Sequence, residues 1–371
     1  VNLKQRFIVL DSFRGLCAIC VVFFHMNIVD SLTTLSFFRN SHIFVEFFFI
    51  LSGFVLAEGY GFKKEVSFFK FTVSRIFRIF PLHISMLVVF IIFEICKLIA
   101  FEYYGFEFNI APFTGSYAAT QIIPNLLLIQ SWFHFFDATS FNYVTWSISV
   151  EFLLYLTFYF TFAFSKYNKI FLWLLFSLIM FYLLSHNILL LTNELQRGIA
   201  FFFLGVCLNV LQHKINFIKI NKFVASSLES VVLILVLLFV AGDVDNDYLV
   251  AACLFSLTII IFSFEAGFFS SILASPLLQF CGRLSYSIYM VHIAVLFVFL
   301  SFFMIIGKVI GSNFTPILEG ERYINTGNDI FNNVLCFIIL FIVIYLSSLT
   351  NRYIEKPCVN LGRSITKKIG S

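Results

Sequence analysis

Apolar residues fall along this chain in long runs, without the strict alternation of half-buried strands or the one-sided stripes of soluble helices. A run of about 18 or more such residues is long enough to cross a hydrocarbon core as a helix. The pattern predicts ten spans, near 13–30, 43–60, 79–101, 144–164, 170–189, 197–212, 227–242, 247–265, 284–306 and 331–350. The sixth and seventh are short. The first has no small-residue cleavage site and runs on towards a second span, so it reads as a membrane helix and not a removable signal.

Composition agrees. Of 371 residues, 60% are hydrophobic and only 12% charged, where a soluble chain carries about a quarter charged. The expected fold is therefore an all-α polytopic transmembrane helix bundle. The 55 phenylalanines read as lipid-facing filler. No internal repeat is visible, which disfavours inverted-repeat transporter folds.

Charge adds orientation. All but five of the 24 Lys and Arg fall on the side that holds the N-terminus; the exceptions are Arg39, Lys97, Arg197, Lys308 and Arg322. The positive-inside rule then places both termini in the cytoplasm, as an even span count requires. The opposite-side loops 102–143 and 243–247 carry acids and no Lys or Arg. Loops 102–143 and 307–330 are long, and long loops in compact proteins are often functional. The first holds "YAATQIIPNLLLIQSWF", a semi-apolar piece expected to be re-entrant or interfacial. No soluble domain is expected after the last span.

Eight cysteines are scattered, mostly one per span. Cys17 and Cys20 read as small apolar filler, and no His/Cys spacing matches a metal site. No metal and no nucleic-acid partner are expected.

Several ionisable residues lie inside apolar runs, where charge is expensive and usually functional. In "FRGLCAICVVFFHM", Arg14 and His25 are eleven residues apart. That is about 1100° of helix and about 16 Å of rise, so they share a face, with Asp11 three residues earlier. With Arg14 at the cytoplasmic boundary, His25 is expected roughly midway through a core of about 30 Å. The plainer alternatives are an arginine that snorkels and a histidine that packs. In "TVSRIFRIFPLH", Arg75 and Arg78 share a face just ahead of Pro81. Positive-inside anchoring competes there with phosphate binding by planar guanidinium forks. In "NYVTWSISVEFLLYL", Ser147 and Glu151 are four apart, with Trp146 alongside. Glu46 opens "FVEFFFILSGF", ahead of Ser52-Gly53; Ser285, Tyr289 and His292 stand at i, i+4 and i+7 in a later span; Glu355 precedes Pro357 by two. Glu58, Glu94 and Glu265 lie at span ends without an assigned role.

Taken together, and in this order, these stretches resemble the acyltransferase-3 family of integral-membrane acyltransferases over nearly the whole chain. The matching segments are "LDSFRGLCAICVVFFH", "VEFFFILSGF", "RIFRIFP", "WSISVEF", "GRLSYSIYMVH" and "IEKP". The arginine-ten residues-histidine spacing and the R-x-x-R pair are the specific items. The resemblance implies one ten-span domain over 1–371 in the cytoplasmic (inner) membrane. It implies transfer of an acyl group, most often acetyl, to a hydroxyl of O-antigen, exopolysaccharide or a related lipid-linked glycan. It implies that Arg14 and His25 stand at the family's arginine and catalytic histidine, and that Arg75 and Arg78 match the pair linked to a cytoplasmic donor, acetyl-CoA. Glu46 departs from the pattern, filling a place where aspartate is usual. The C-terminal SGNH-type domain of some relatives is not expected here.

Residue chemistry reaches a compatible mechanism. An imidazole titrates near working pH and suits a general base on an acceptor hydroxyl, with Glu46 or Glu151 orienting it. The rival is an acyl-His25 intermediate. Arg14, Arg75 and Arg78 are assigned to donor phosphates, and Trp146, Ser147, Tyr289 and His292 to substrate. A proton-coupled transporter or lipid-linked glycan flippase also uses buried Glu and His. A non-catalytic scaffold would not need them. The acceptor sugar and the oligomeric state are not legible.

Overall fold

The computed structural model describes residues 7–63, 65–164, 168–242, 247–318 and 320–368. Lys4, Arg6, Lys64, Lys166 and most of the acidic 243–247 loop lie outside the described residues. Helices dominate. In chain order the main ones are α1 (Ile8–His25), α2 (Phe44–Leu56), α3 (Phe68–Tyr104), α4 (Trp146–Phe164), α5 (Lys169–Ser185), α6 (Asn193–Ile215), α7 (Lys222–Ala241), α8 (Tyr248–Phe262), α9 (Pro276–Ile310), α10 (Asp329–Thr350) and α11 (Lys356–Lys368). Among the described residues eight helical stretches are long and apolar enough to cross a membrane; α5 and α8 are apolar but shorter.

The boundaries correct the sequence reading in several places. The first helix occupies 8–25 and not 13–30, so His25 is its last residue. The third runs 37 residues, from Phe68, straight through Pro81. Arg75 and Arg78 are therefore inside a helix and not ahead of one. Pro81 removes only the ladder bond to the Phe77 carbonyl, and flanking turns carry the helix across it. The short members are the fifth and eighth, of 17 and 15 residues, while the sixth and seventh have 23 and 20. Hydropathy cuts the sixth at its polar ends, where Glu194 and Lys214 continue the helix.

The chain divides into two compact units, Val1–Gly59 with Gly205–Leu349 and Tyr60–Leu204 with Thr350–Ser371. The first is organised by α1 against α9. A side chain at Gly15 would strike the Gly282 nitrogen at 2.5 Å, and one at Gly282 would overlap the Asp11 carbonyl. Small residues thus let the two backbones touch. Ten residues on from each glycine stand His25 and His292, whose rings stack. The helices are therefore parallel and in register over about 15 Å. Ser12 donates to the Leu273 carbonyl at 2.5 Å, and Gln279 donates to the Ile8 carbonyl. The exposed-end problem of α1 is met by Glu265, which accepts from the Val9 amide at 3.0 Å. Buried Glu229 does the same for Phe268–Leu273, accepting from the Gly267 and Ser270 amides, both at 3.1 Å. Many phenylalanines fill the interior and do not face lipid as the sequence reading expects; Phe13 meets Phe262 edge to face at 4.7 Å and Phe47 meets Phe255 at 5.6 Å.

The loop after α1 is zipped to the 307–330 loop. Val29 donates to the Ile324 carbonyl at 3.0 Å, and Ile324 to the Asn27 carbonyl at 2.8 Å. A two-residue antiparallel hairpin, Ile317–Leu318 with Glu321–Arg322, precedes it.

In the second unit α3 runs antiparallel to α4, with Phe68 beside Phe160 and Phe80 beside Phe152. Gly362 of α11 seats against Phe77, and Trp173 of α5 donates to Thr161 Oγ1 at 2.9 Å. The semi-apolar piece of loop 102–143 forms short turns and one five-residue helix, Ile122–Leu126, and no membrane-length span. Several of its polar groups are satisfied internally. Asn125 donates to Ser140 Oγ at 2.5 Å and its carbonyl meets His83 Nε2 at 2.7 Å; Ser149 Oγ donates to the Leu128 carbonyl at 2.8 Å. Glu94 and Lys97 form a buried ion pair at 2.8 Å, and the Phe113 amide donates to the same carboxylate.

Candidate functional site

In the first unit the helix that carries Arg14 is unbroken from Ile8 to His25, so the two residues share a face as their spacing predicts. Arg14 is half-buried and makes no hydrogen bond or ion pair among the described residues. His25 is half-buried, and its ring lies 5.2 Å from the His292 ring at 22°. Phe24 bridges sideways, 4.5 Å from His25 and 5.3 Å from His42. His292 is fully buried. Its Nδ1 faces the Ile288 carbonyl at 3.2 Å, and its Nε2 has no hydrogen-bond partner among the described residues. Tyr289 is buried 5.9 Å from the His292 ring and 6.2 Å from Phe48. Glu46 opens α2 in the same unit and is fully buried.

His42 and Arg39 lie within electrostatic range of His25. Arg39 donates to Asn27 Oδ1 at 3.3 Å and to the Tyr323 hydroxyl at 3.2 Å, two neutral acceptors. This end of the unit therefore gathers three imidazoles and a guanidinium.

In the second unit Arg75 and Arg78 stand two and three turns into α3. The Arg75 guanidinium carbon lies 5.5 Å from the Tyr155 ring and 5.9 Å from the Tyr60 ring. The Tyr155 hydroxyl donates to Glu151 Oε1 at 2.5 Å, one turn earlier on α4. Arg75, Arg78 and Glu151 all interact electrostatically with Tyr155. At the loop-side end of α4, the Arg197 guanidinium sits 5.2 Å from the Trp146 ring. Ser147 is buried and donates to the Val144 carbonyl at 3.2 Å.

A protein-family model for an acyltransferase domain, that of acyltransferase-3, matches residues 7–352. The chain belongs to the acyltransferase-3 family. Among curated proteins it is similar to Acyltransferase MdmB of Streptomyces mycarofaciens, 37% identical over 121 residues, which is 31% of this chain and 27% of that protein. It is also similar to Protein 2 in picA locus of Rhizobium radiobacter, 33% identical over 99 residues, 25% of this chain and 48% of that protein. The chain thus spans less than half the length of either relative. No solved structure matches.

The residues singled out in this acyltransferase-3 sequence separate into two groups. Arg14, His25, Glu46, Tyr289 and His292 belong to one unit, and Arg75, Arg78, Trp146, Ser147 and Glu151 to the other. Glu151 is engaged by Tyr155, whereas Glu46 shares the histidines' unit. Sequence reasoning missed Tyr155, although its i+4 spacing from Glu151 was a usable signal. Tyr60, Arg39 and His42 gave none, because each meets residues far away in the chain.

Proposed function

We propose that this chain is a membrane O-acyltransferase of the cytoplasmic membrane. It moves an acyl group, acetyl first, from cytoplasmic acyl-CoA to a hydroxyl of a cell-surface or lipid-linked polysaccharide such as O-antigen or exopolysaccharide. The observation that carries this reading is the acyltransferase-3 match over residues 7–352. The Streptomyces relative is likewise named an acyltransferase. The geometry supports a division of labour. His25 takes the proton from the acceptor hydroxyl as its oxygen attacks the thioester carbonyl. The carbon–sulfur bond then breaks, and the proton passes to the departing CoA sulfur, which returns His25 to its neutral form. A positioned base of this kind contributes about 10²–10⁴ in rate. Glu46, buried in the same unit, is the carboxylate assigned to orient His25. Arg14, with no partner among the described residues, and the Arg75–Arg78 pair are assigned to donor phosphates. Trp146, Ser147, Tyr289 and His292 are assigned to the acceptor side of the reaction.

The test is label transfer. Proteoliposomes holding the full chain, given radiolabelled acetyl-CoA and membrane glycan from the source cells, should move label into the glycan. Label that stays wholly on CoA, with glycan or protons moved across the membrane instead, would favour a transporter and overturn the reading.

A further inference from the structure

The arginine pair of α3 has company that its motif does not include. Arg75 lies over two aromatic rings, Tyr155 at 5.5 Å and Tyr60 at 5.9 Å. Its only hydrogen bond among the described residues runs from Nε to Ser74 Oγ at 3.3 Å. Both terminal nitrogens are therefore uncommitted there, while the guanidinium carbon lies over both rings. The rings are themselves fixed. Tyr155 is buried and anchored through its hydroxyl to Glu151, and Tyr60 packs edge-on to buried Phe71 at 5.1 Å. Lys63 adds an ammonium 4.7 Å from the Tyr60 ring. A planar cation held by π-faces loses little freedom when it binds, and its exposed edge is the fork that fits two phosphate oxygens.

Glu151 belongs to this arrangement. Tyr155 holds its carboxylate by a hydrogen bond and is itself in electrostatic range of both arginines. Two guanidinium groups and one carboxylate are thus gathered around Tyr155, where the cations can draw a polyanion and the carboxylate tempers the repulsion between them.

We propose that Tyr60 and Tyr155 are positioning residues of a phosphate site built on Arg75 and Arg78. In this site Glu151, tethered by Tyr155, is the resident counter-anion and does not serve His25. This rests on the donor assignment above and extends it to an aromatic clamp and a competing carboxylate. The ligand chemistry is a phosphate ester, and the acyl-CoA donor supplies it.

The experiment measures binding of CoA, which is not turned over, to the full chain in phosphatidylcholine nanodiscs by calorimetry. The parent should bind and Arg75→Ala should not. Tyr155→Leu and Tyr60→Leu should each weaken CoA by about tenfold, the scale of one lost cation–π contact. Tyr155→Phe, which keeps the ring, should restore binding to within about twofold to threefold of the parent on the same scale. Glu151→Gln should tighten binding several-fold, an effect that mere loss of packing does not give. Half-exposed Tyr60 keeps the test open should Tyr155→Leu not fold. Parental affinity in both leucine variants, with Arg75→Ala still defective, overturns the clamp and leaves the donor assignment standing. A parent that does not bind CoA overturns both. Loss of the parent's CoA affinity when phosphatidylglycerol replaces phosphatidylcholine would make a lipid headgroup the ligand and also overturn the proposal.

Discussion

His25 terminates α1 with one ring face against His292. His25→Ala should abolish transfer while the protein still reaches the membrane at the parental level, measured by label transfer and immunoblot of the membrane fraction. Residual turnover above about one part in a hundred of the parent would remove the base assignment, since a positioned base contributes about 10²–10⁴. Asp137, in the loop outside the helices, offers a pH readout. Burial alone would raise its carboxyl, but hydrogen bonds from Ser116 and Thr139 outweigh that and hold it below the usual range. Thr139 donates twice, from its amide at 2.9 Å and its hydroxyl at 2.7 Å. A depressed folded-state pKa contributes stability above the unfolded value of about 3.9 and loses it as pH falls through the folded value. Asp137→Asn should therefore lower Tm at pH 7, and the gap from the parent should close as the pH drops below about 4. At this scale the sequence was readable wherever partners share a helix. The shared face of Arg14 and His25 follows from spacing alone, and the Glu151–Tyr155 pair, though missed, lay in an i+4 spacing that could have been read. The His25–His292 stack and the Tyr60 face of the clamp were not readable, because each joins elements far apart in the chain.

The element that positions His25 is the α1–α9 pair, and its contact depends on two glycines. A methyl at Gly15 would meet the Gly282 nitrogen and the Cys281 carbonyl carbon, at 2.5 and 2.6 Å. Gly15→Ala should force the helices apart and destabilise the protein by about 1–3 kcal/mol, the usual scale of overpacking. Thermal unfolding in detergent measures this, and transfer should fall with it because the histidine stack lies on the same pair. A parental Tm and parental transfer rate would show that the close approach is not needed. Helix ends were the least legible feature. Hydropathy reports where a run is apolar, whereas a helix continues wherever its backbone bonds are satisfied. So α3 extends a further eleven residues ahead of the predicted start at 79, and α1 begins at Ile8, ahead of its apolar run. The 102–143 loop was opaque for a related reason. Its order comes from buried Asn125, Gln130, Ser131 and Ser140, polar residues that a hydropathy reading treats as solvent-facing.

For the molecule as a whole, composition alone announced an all-α membrane bundle, and the acyltransferase-3 family follows from the match over residues 7–352. Orientation is carried by the basic residues. Fusions of a cytoplasm-active fluorescent reporter to the C-terminus should glow, and an export-dependent phosphatase inserted near Gly115 should be active. The reverse pattern would invert the topology and remove cytoplasmic acyl-CoA as the donor for Arg75 and Arg78. The most direct measurement is mass spectrometry of surface polysaccharide from cells that make the parent chain, the His25→Ala chain, or neither. The account predicts an ester-linked acyl group, released by mild alkali, on glycan from parent-expressing cells only. Identical polysaccharide from all three would contradict it.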